Sequence, residues 1–145
     1  MSSAFLGEFL GTTTLILMGN SVNGTVLLKG THGENSGWLV ITTGWGLAVV
    51  FGIIVALAVG SNAHINPAVT IGVSIYTGEW GHVGTYVAGQ MLGGILGATL
   101  VWIHFLPHWG LTEDPENKRA CFCTSPAVRN IPMNFVSILV PMQNV

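Results

Sequence analysis

The Asn66-Pro67 pair, placed between two long uncharged runs, constrains this chain more than any other feature. Asn is a good helix N-cap because its side chain accepts a hydrogen bond from an amide of the first turn. Pro is pre-set for the first helical position. The pair predicts a helix over residues 66–77, ended by Thr77-Gly78. Crossing a bilayer takes about 20 apolar residues, so this segment is expected to be a re-entrant half-helix that protein buries or that lines a wet cavity.

Composition places the chain in a membrane. Of its 145 residues, 50% are hydrophobic and only 7% are charged, whereas a soluble domain carries about 25% charged residues. The chain cannot cover a soluble surface, so we expect it to lie in a lipid bilayer. It has no basic patch on which nucleic-acid binding could rest.

Three long apolar runs predict spanning helices over residues 5–28, 38–59 and 83–105. The chain is therefore expected to be an all-α membrane protein. The first run has no basic segment before it and carries Glu8, so we expect it to stay as a membrane helix and not to be a cleaved signal peptide. Small residues recur at four-residue spacing in each run, which predicts close helix packing: Gly7 and Gly11; Gly52, Ala56 and Gly60; Gly89, Gly93 and Gly97.

Three polar or aromatic residues within the predicted membrane region leave alternatives open. Glu8 either is solvated near an interface or is buried, since a carboxylate at membrane depth usually faces protein or water. Trp45 either faces lipid, as membrane Trp side chains often do, or lines a pore. It shares a helix face with Val49, four residues on. His64 fits an ordinary buried histidine that is hydrogen-bonded to backbone.

Candidate metal ligands are few. Cys121 and Cys123 are either two loop thiols or a redox or metal pair, but zinc sites usually take four ligands. His104 and His108 are spaced for one helix face, yet Pro107 lies between them and predicts a break. We expect no metal and no cofactor. No nucleophile–base pair stands out either, so we expect no enzymatic activity.

Residues 63–70, Ala-His-Ile-Asn-Pro-Ala-Val-Thr, resemble the first signature loop of the aquaporin superfamily. Residues 7–12, residues 45–49 and Gly89-Gln90 are similar to further segments of its glycerol-conducting branch. The resemblance implies an aquaporin-like first repeat over residues 1–137, with three spanning helices, one re-entrant half-helix and an outer loop over residues 106–130. It also implies a passive channel for glycerol and water, multi-pass in the cell (plasma) membrane. The family assembles as homotetramers.

The resemblance further implies roles for particular residues. Trp45 matches the bulky aromatic of the narrow filter, and Val49 matches a lining position below it. Carbonyls in the descending strand would replace part of a solute's hydration shell. Glu8 and Gln90 match residues that brace the loop. The implied permeation path comprises Trp45, Val49, Asn62, Ala63, His64, Ile65, Asn66, Pro67 and Ala68.

Two features depart from the family pattern. Asn62 stands where Gly is usual, and Asn tolerates left-handed backbone better than most residues, so we expect the loop still to form. The resemblance stops at Ser137, and residues 138–145 are expected to be a divergent, truncated tail. Aquaporins are inverted repeats, and their second repeat supplies another half-helix and the filter arginine.

Two alternatives to a channel stay open. The first is a non-conducting, truncated half-channel with at most an assembly role. The second is a secondary transporter with a broken helix and ion-coupled uptake. The basic residues lie in loops that the family places outside the cell, whereas the positive-inside rule would place these loops on the inner side. These residues are Lys29, Lys118, Arg119 and Arg129.

Overall fold

The computed structural model describes residues 3–124, and within that range all regular structure is helical. The all-α prediction is confirmed. Residues 125–130 of the predicted outer loop, which include Arg129, lie outside the described residues. The predicted tail over 138–145 lies outside them as well. The helices are α1 (Ser3–Leu27), α2 (Trp38–Ala58), α3 (Pro67–Thr77), α4 (Val83–His104), α5 (Leu106–Leu111) and α6 (Pro115–Ala120).

Two helices in the described part, α2 and α4, are long and apolar enough to cross a membrane. They contain 21 and 22 residues. α1 is longer, at 25 residues, but threonines and asparagines make it less apolar. Several of these polar side chains, including Thr12, Thr13 and Asn20, are buried. These three polar residues of α1 therefore face protein.

α1 lies between α2 and α4 and packs against both. At one end of the bundle, the N-terminal part of α1 meets the C-terminal end of α2, the start of α4 and residues 59–66. We call this the re-entrant end. At the other end, which we call the outer-loop end, the C-terminal part of α1 meets the opposite ends of α2 and α4, together with α5 and α6. The bundle thus has two chemically distinct ends.

Helix backbones touch at the re-entrant end. A Cβ built on Gly11 would lie 2.8 Å from the carbonyl oxygen of Gly52, and one on Gly89 would lie 2.8 Å from that of Phe5. This contact is the one that the four-residue spacing of small residues predicts. Gly60 behaves differently from the others. It is exposed and, with a φ of 90°, it turns the chain out of α2.

At the outer-loop end, aromatic rings separate the helices. A Cβ on Gly19 would lie 2.5 Å from the Trp45 ring, and one on Gly24 would lie 2.8 Å from the Phe105 ring. α4 ends at His104 and α5 begins at Leu106, so the helix breaks where Pro107 predicts a break.

The segment after α4 is ordered against the end of α1. Leu28, Val101, Phe105 and Cys121 form a buried cluster. The backbone N–H of Lys29 donates to Thr112 Oγ1 at 2.9 Å. The sequence suggested no local order here, because both helices are only 6 residues long and have a proline in the first turn. Pro is tolerated at the first helical turn, and packing supplies the rest.

Candidate functional site

The start of α3 has the geometry that the Asn-Pro pair predicts. Asn66 Oδ1 accepts a hydrogen bond from the Ala68 N–H at 2.9 Å, and Pro67 is the first helical residue. Gly78 ends the helix in the left-handed conformation, with φ of 78°. The short helix that the pair predicts over residues 66–77 therefore corresponds to α3 with its N-cap.

Glu8 is the centre of the re-entrant end. Its side chain is 0% exposed, so the solvated alternative does not hold. Its Oε1 accepts from the Ser61 hydroxyl and, at 2.9 Å, from the His64 N–H. Its Oε2 accepts from the Ile65 N–H and from Gln90 Nε2, both at 2.7 Å. Four donors from two segments, the loop over residues 61–65 and α4, thus converge on one side chain.

The bonding of Glu8 suits an ionised carboxylate. Each of its oxygens only accepts, as an ionised carboxyl must. Burying such a charge costs several kcal/mol. Hydrogen bonds to charged groups return about 1.5–3 kcal/mol each, so four of them can offset that cost. The loop and the carboxylate consequently depend on each other.

The same contacts fix the direction of the loop's carbonyl groups. In a trans peptide the N–H and the C=O point in opposite directions. Since the His64 and Ile65 N–H groups point at Glu8, the carbonyls of Ala63 and His64 point away from it. The descending strand therefore turns two acceptors away from α1.

Left-handed backbone occurs at Ala63, with φ of 56°, and at Ile65, with φ of 43°, and not at Asn62. Two successive N–H groups must turn toward one carboxylate, so the reversals fall on the residues flanking His64. Each left-handed residue costs roughly 1–2 kcal/mol, and the bonds to Glu8 hold both in place.

Thr70 is a second hub that sequence reasoning missed. Its hydroxyl is fully buried, accepts from Gln90 Nε2 at 2.9 Å and lies 3.2 Å from His64 Nδ1. It also donates to the Asn66 carbonyl at 3.2 Å. The feature of the sequence that could have indicated this role is the position of Thr70 four residues after the N-cap Asn66, on the same helix face. The His64 ring thus bonds to the Thr70 side chain, whereas the sequence predicted a bond to backbone.

The predicted path residues divide by exposure. Ile65 is buried, with its side chain directed at Gly11 and Gly52. His64 is buried as well. Ala63 and Pro67 are half-buried, while Asn62, Asn66 and Ala68 are exposed. The structure brings residues 62–68 together with Glu8 and Gln90.

Trp45 and Val49 lie along α2, one turn apart. Trp45 is half-buried and its Nε1 donates to Asn23 Oδ1 at 3.0 Å. Val49 is 41% exposed. Two adjoining cavities of about 300 and 620 Å³ share four lining residues, namely Asn23, Trp45, Cys123 and Thr124. Trp45 therefore borders open space at the outer-loop end.

Among residues 3–124, no three His, Cys, Asp or Glu side chains are grouped to hold a metal ion. Cys121 is buried and its Sγ donates to the Asn117 carbonyl at 3.3 Å, while Cys123 is exposed. Burial raises the pKa of the Cys121 thiol to about 11, so this thiol is unreactive at neutral pH. His108 Nδ1 lies 2.8 Å from the Lys29 carbonyl, so this ring nitrogen contacts backbone.

Comparisons with known proteins agree with this geometry. The sequence profile of the major intrinsic protein family matches residues 1–143. A probable glycerol uptake facilitator protein of Thermotoga maritima is 49% identical over 140 residues, covering 95% of this chain and 59% of that protein. A glycerol uptake facilitator protein of Streptococcus pneumoniae R6 is 45% identical, covering 94% of this chain and 58% of that protein.

A third relative carries a different name. The D/L-lactic acid transporter of Lactiplantibacillus plantarum is 37% identical, covering 93% of this chain and 57% of that protein. The chain therefore spans little more than half the length of these relatives. No solved structure matches it significantly.

Proposed function

This chain belongs to the major intrinsic protein family, and from that membership we propose that it forms the first half of a passive channel for glycerol and water. α1, α2 and α4 would each cross the plasma membrane, and α3 would enter it from one side. A second repeat would complete the pore, and the complete protein would be a homotetramer. The names of relatives that are 45–49% identical support glycerol as the solute.

One observation carries the proposal, namely the convergence of four donors on Glu8. It holds the irregular backbone of residues 61–65 so that the Ala63 and His64 carbonyls face away from Glu8. A passing polyol could exchange water for such fixed acceptors. Glu8 and Gln90 would brace this strand without touching the solute.

The other path residues would act on the solute directly. Asn66 would donate from its exposed side chain at the N-terminus of α3, with Pro67 and Ala68 shaping the turn beside it. Trp45 would press its ring against the carbon side of the polyol, and Val49 would line the path one turn away. Glycerol has both a hydroxylated face and a carbon face, so it suits a path with these two kinds of wall.

Lactic acid is a second candidate solute, because one relative is named for its transport. It is similar in size to glycerol and also carries a hydroxyl group. Its carboxylate distinguishes it, since it is charged at neutral pH. A pore that conducts both should pass lactic acid mainly in its neutral form, so flux should rise as pH falls.

A chimera tests the proposal. This chain would replace the matching first part of the Streptococcus pneumoniae relative, and glycerol-driven volume changes of proteoliposomes would be followed by stopped-flow light scattering. We expect flux well above that of empty liposomes and insensitive to an uncoupler. Flux that collapses with the uncoupler would indicate ion-coupled transport instead. An inserted, folded chimera with no flux would overturn the proposal.

The 145-residue chain alone forms a separate arm. Flux above that of empty liposomes would mean that copies of this chain complete a pore together. A conducting chimera beside an inactive chain would show that these residues form a competent half that needs a second repeat.

A further inference from the structure

We propose that Asn23 is a positioning residue for Trp45, which holds the indole of the filter and ties it to α6. This inference deepens the proposed function and rests on it for the role of Trp45. Asn23 lies on α1 and appeared in the sequence only as a polar interruption of an apolar run. Its two contacts give it a specific position between the filter aromatic and the outer loop.

The Asn23 amide is used at both ends. Its Oδ1 accepts from Trp45 Nε1 at 3.0 Å, and its Nδ2 donates to the Ala120 carbonyl at 3.0 Å. An indole N–H can only donate and a carbonyl can only accept. The amide therefore has one orientation that satisfies both partners, and flipping it would break both bonds.

The Trp45 ring is also restricted from the side. Gly19, one turn before Asn23, lies against it, and a Cβ there would be 2.5 Å from two ring carbons. Positions four apart share a helix face. α1 therefore meets the indole with a bare backbone at one point and a hydrogen-bond acceptor at the next.

The Ala120 carbonyl explains the link to the outer loop. Ala120 is the last residue of α6, where carbonyls lack partners within the helix. Asn23 supplies one from α1. The same amide consequently connects the end of α6 to the side of Trp45.

This arrangement defines what Trp45 can offer a solute. The indole has a single donor, and Asn23 occupies it. The ring thus presents only carbon toward the cavities that Asn23 and Trp45 both line. Hydroxyl groups of a polyol must find their partners on the opposite wall, so the setting of the ring determines which polyols fit.

Hydrogen exchange of the Trp45 indole proton tests the contact directly. The chain would be labelled with ¹⁵N-tryptophan in lipid nanodiscs, and Trp45→Phe would identify the resonance. In Asn23→Leu we expect about fivefold faster exchange, the factor that loss of one neutral hydrogen bond typically produces. Asn23→Asp keeps the acceptor for Trp45 but loses the donor to Ala120, so protection should persist.

Thr99→Val is the matched control, because Thr99 is exposed and its hydroxyl bonds only to the Ile95 carbonyl of its own helix. It should leave the Trp45 proton unchanged. Exchange that is unchanged in Asn23→Leu would overturn the proposal. Equally fast exchange in Asn23→Asp would overturn it too, since the acceptor would then not be what holds the indole.

Selectivity forms the second arm. In the chimera, Asn23→Leu should lower the ratio of glycerol to pentitol permeability by about the same factor, with Thr99→Val unchanged. An unaltered ratio beside faster exchange would overturn the selectivity role. A chimera without glycerol flux would overturn the proposed function, and the exchange result would then still decide whether Asn23 holds the indole.

Discussion

The two ends of α1 contact their neighbours in different ways. At the re-entrant end, glycines bring backbones together, as at Gly11 against Gly52. At the outer-loop end, glycines receive aromatic rings, as at Gly19 against Trp45. A backbone contact cannot be changed by substituting a side chain on the partner, whereas a ring can be exchanged. The comparison indicates that the first end fixes geometry and the second end can vary.

The polar contacts follow the same division. Glu8 is a fully buried carboxyl group that accepts from four donors. Asn23 is half-buried and neutral, with two partners. Charge-assisted bonds are roughly twice as strong as neutral ones. On the proposed function, conduction would depend on the first end and solute selection on the second.

Glu8→Gln should have the largest effect. An amide NH₂ in place of either oxygen would face two donors, and each unsatisfied donor costs about 1–3 kcal/mol, so the loss of stability should be about 2–6 kcal/mol. Thermal unfolding in detergent would measure it. Glu79→Gln is the control, because Glu79 is an exposed acid in the turn that follows α3. Equal midpoints for both variants would show that the carboxylate does not hold this end together.

Gly93→Ala should come next. A Cβ there would overlap the Phe9 carbonyl, whereas a Cβ on neighbouring Gly94 meets no described atom within 4 Å. Overpacking costs about 1–3 kcal/mol, so Gly93→Ala should unfold at lower temperature. Gly94→Ala should be neutral or slightly stabilising, since Ala favours helix. If the two variants behaved alike, α1 and α4 would not be in backbone contact.

Much of this difference between the ends could be predicted from sequence. The predicted helices agree with α1, α2, α3 and α4 to within two residues at each end. Apolar length and the Asn-Pro pair determine those limits locally. The glycine spacing indicated which faces touch, because only close packing requires small residues every four positions.

Other features depend on long-range contacts and could not be predicted. α5 and α6 are short, have a proline in the first turn and are stabilised by packing against the end of α1. Thr70 looked like any helical threonine until His64 and Gln90 were placed around it. The link from Asn23 to Ala120 joins residues 97 positions apart, and no local pattern encodes such a pair.

Thr112→Val, at the outer-loop end, should destabilise the chain less than Glu8→Gln does. Thr112 is buried, and its hydroxyl accepts from the Lys29 N–H and donates to the His108 carbonyl. Losing neutral bonds of this kind costs about 0.5–1.5 kcal/mol each. The thermal midpoint should fall by no more than in Gly93→Ala and by less than in Glu8→Gln, and Thr99→Val should not change it. A fall as large as that of Glu8→Gln would remove the contrast between the two ends.

The smallest effect should come from Glu34, in the exposed turn between α1 and α2. A hydrogen bond from the Gly30 N–H, and then the nearby Lys29 ammonium, lower the pKa of this carboxyl from its ordinary 4.5. A lowered folded-state pKa gives stability that is present above 4.5 and is lost as pH falls through the lower value. The thermal midpoint is therefore expected to differ slightly less between pH 7 and pH 3 in Glu34→Gln than in the unmodified chain. A larger difference in Glu34→Gln would contradict this prediction.

Residue-resolved amide exchange of the chain in nanodiscs tests the central claim most directly. The His64 and Ile65 N–H groups, bonded to Glu8, should exchange far more slowly than the Lys29 N–H, bonded to Thr112. Glu8→Gln should remove that protection and leave Lys29 unchanged. Fast exchange of His64 and Ile65 in the unmodified chain, or unchanged protection in Glu8→Gln, would contradict the account.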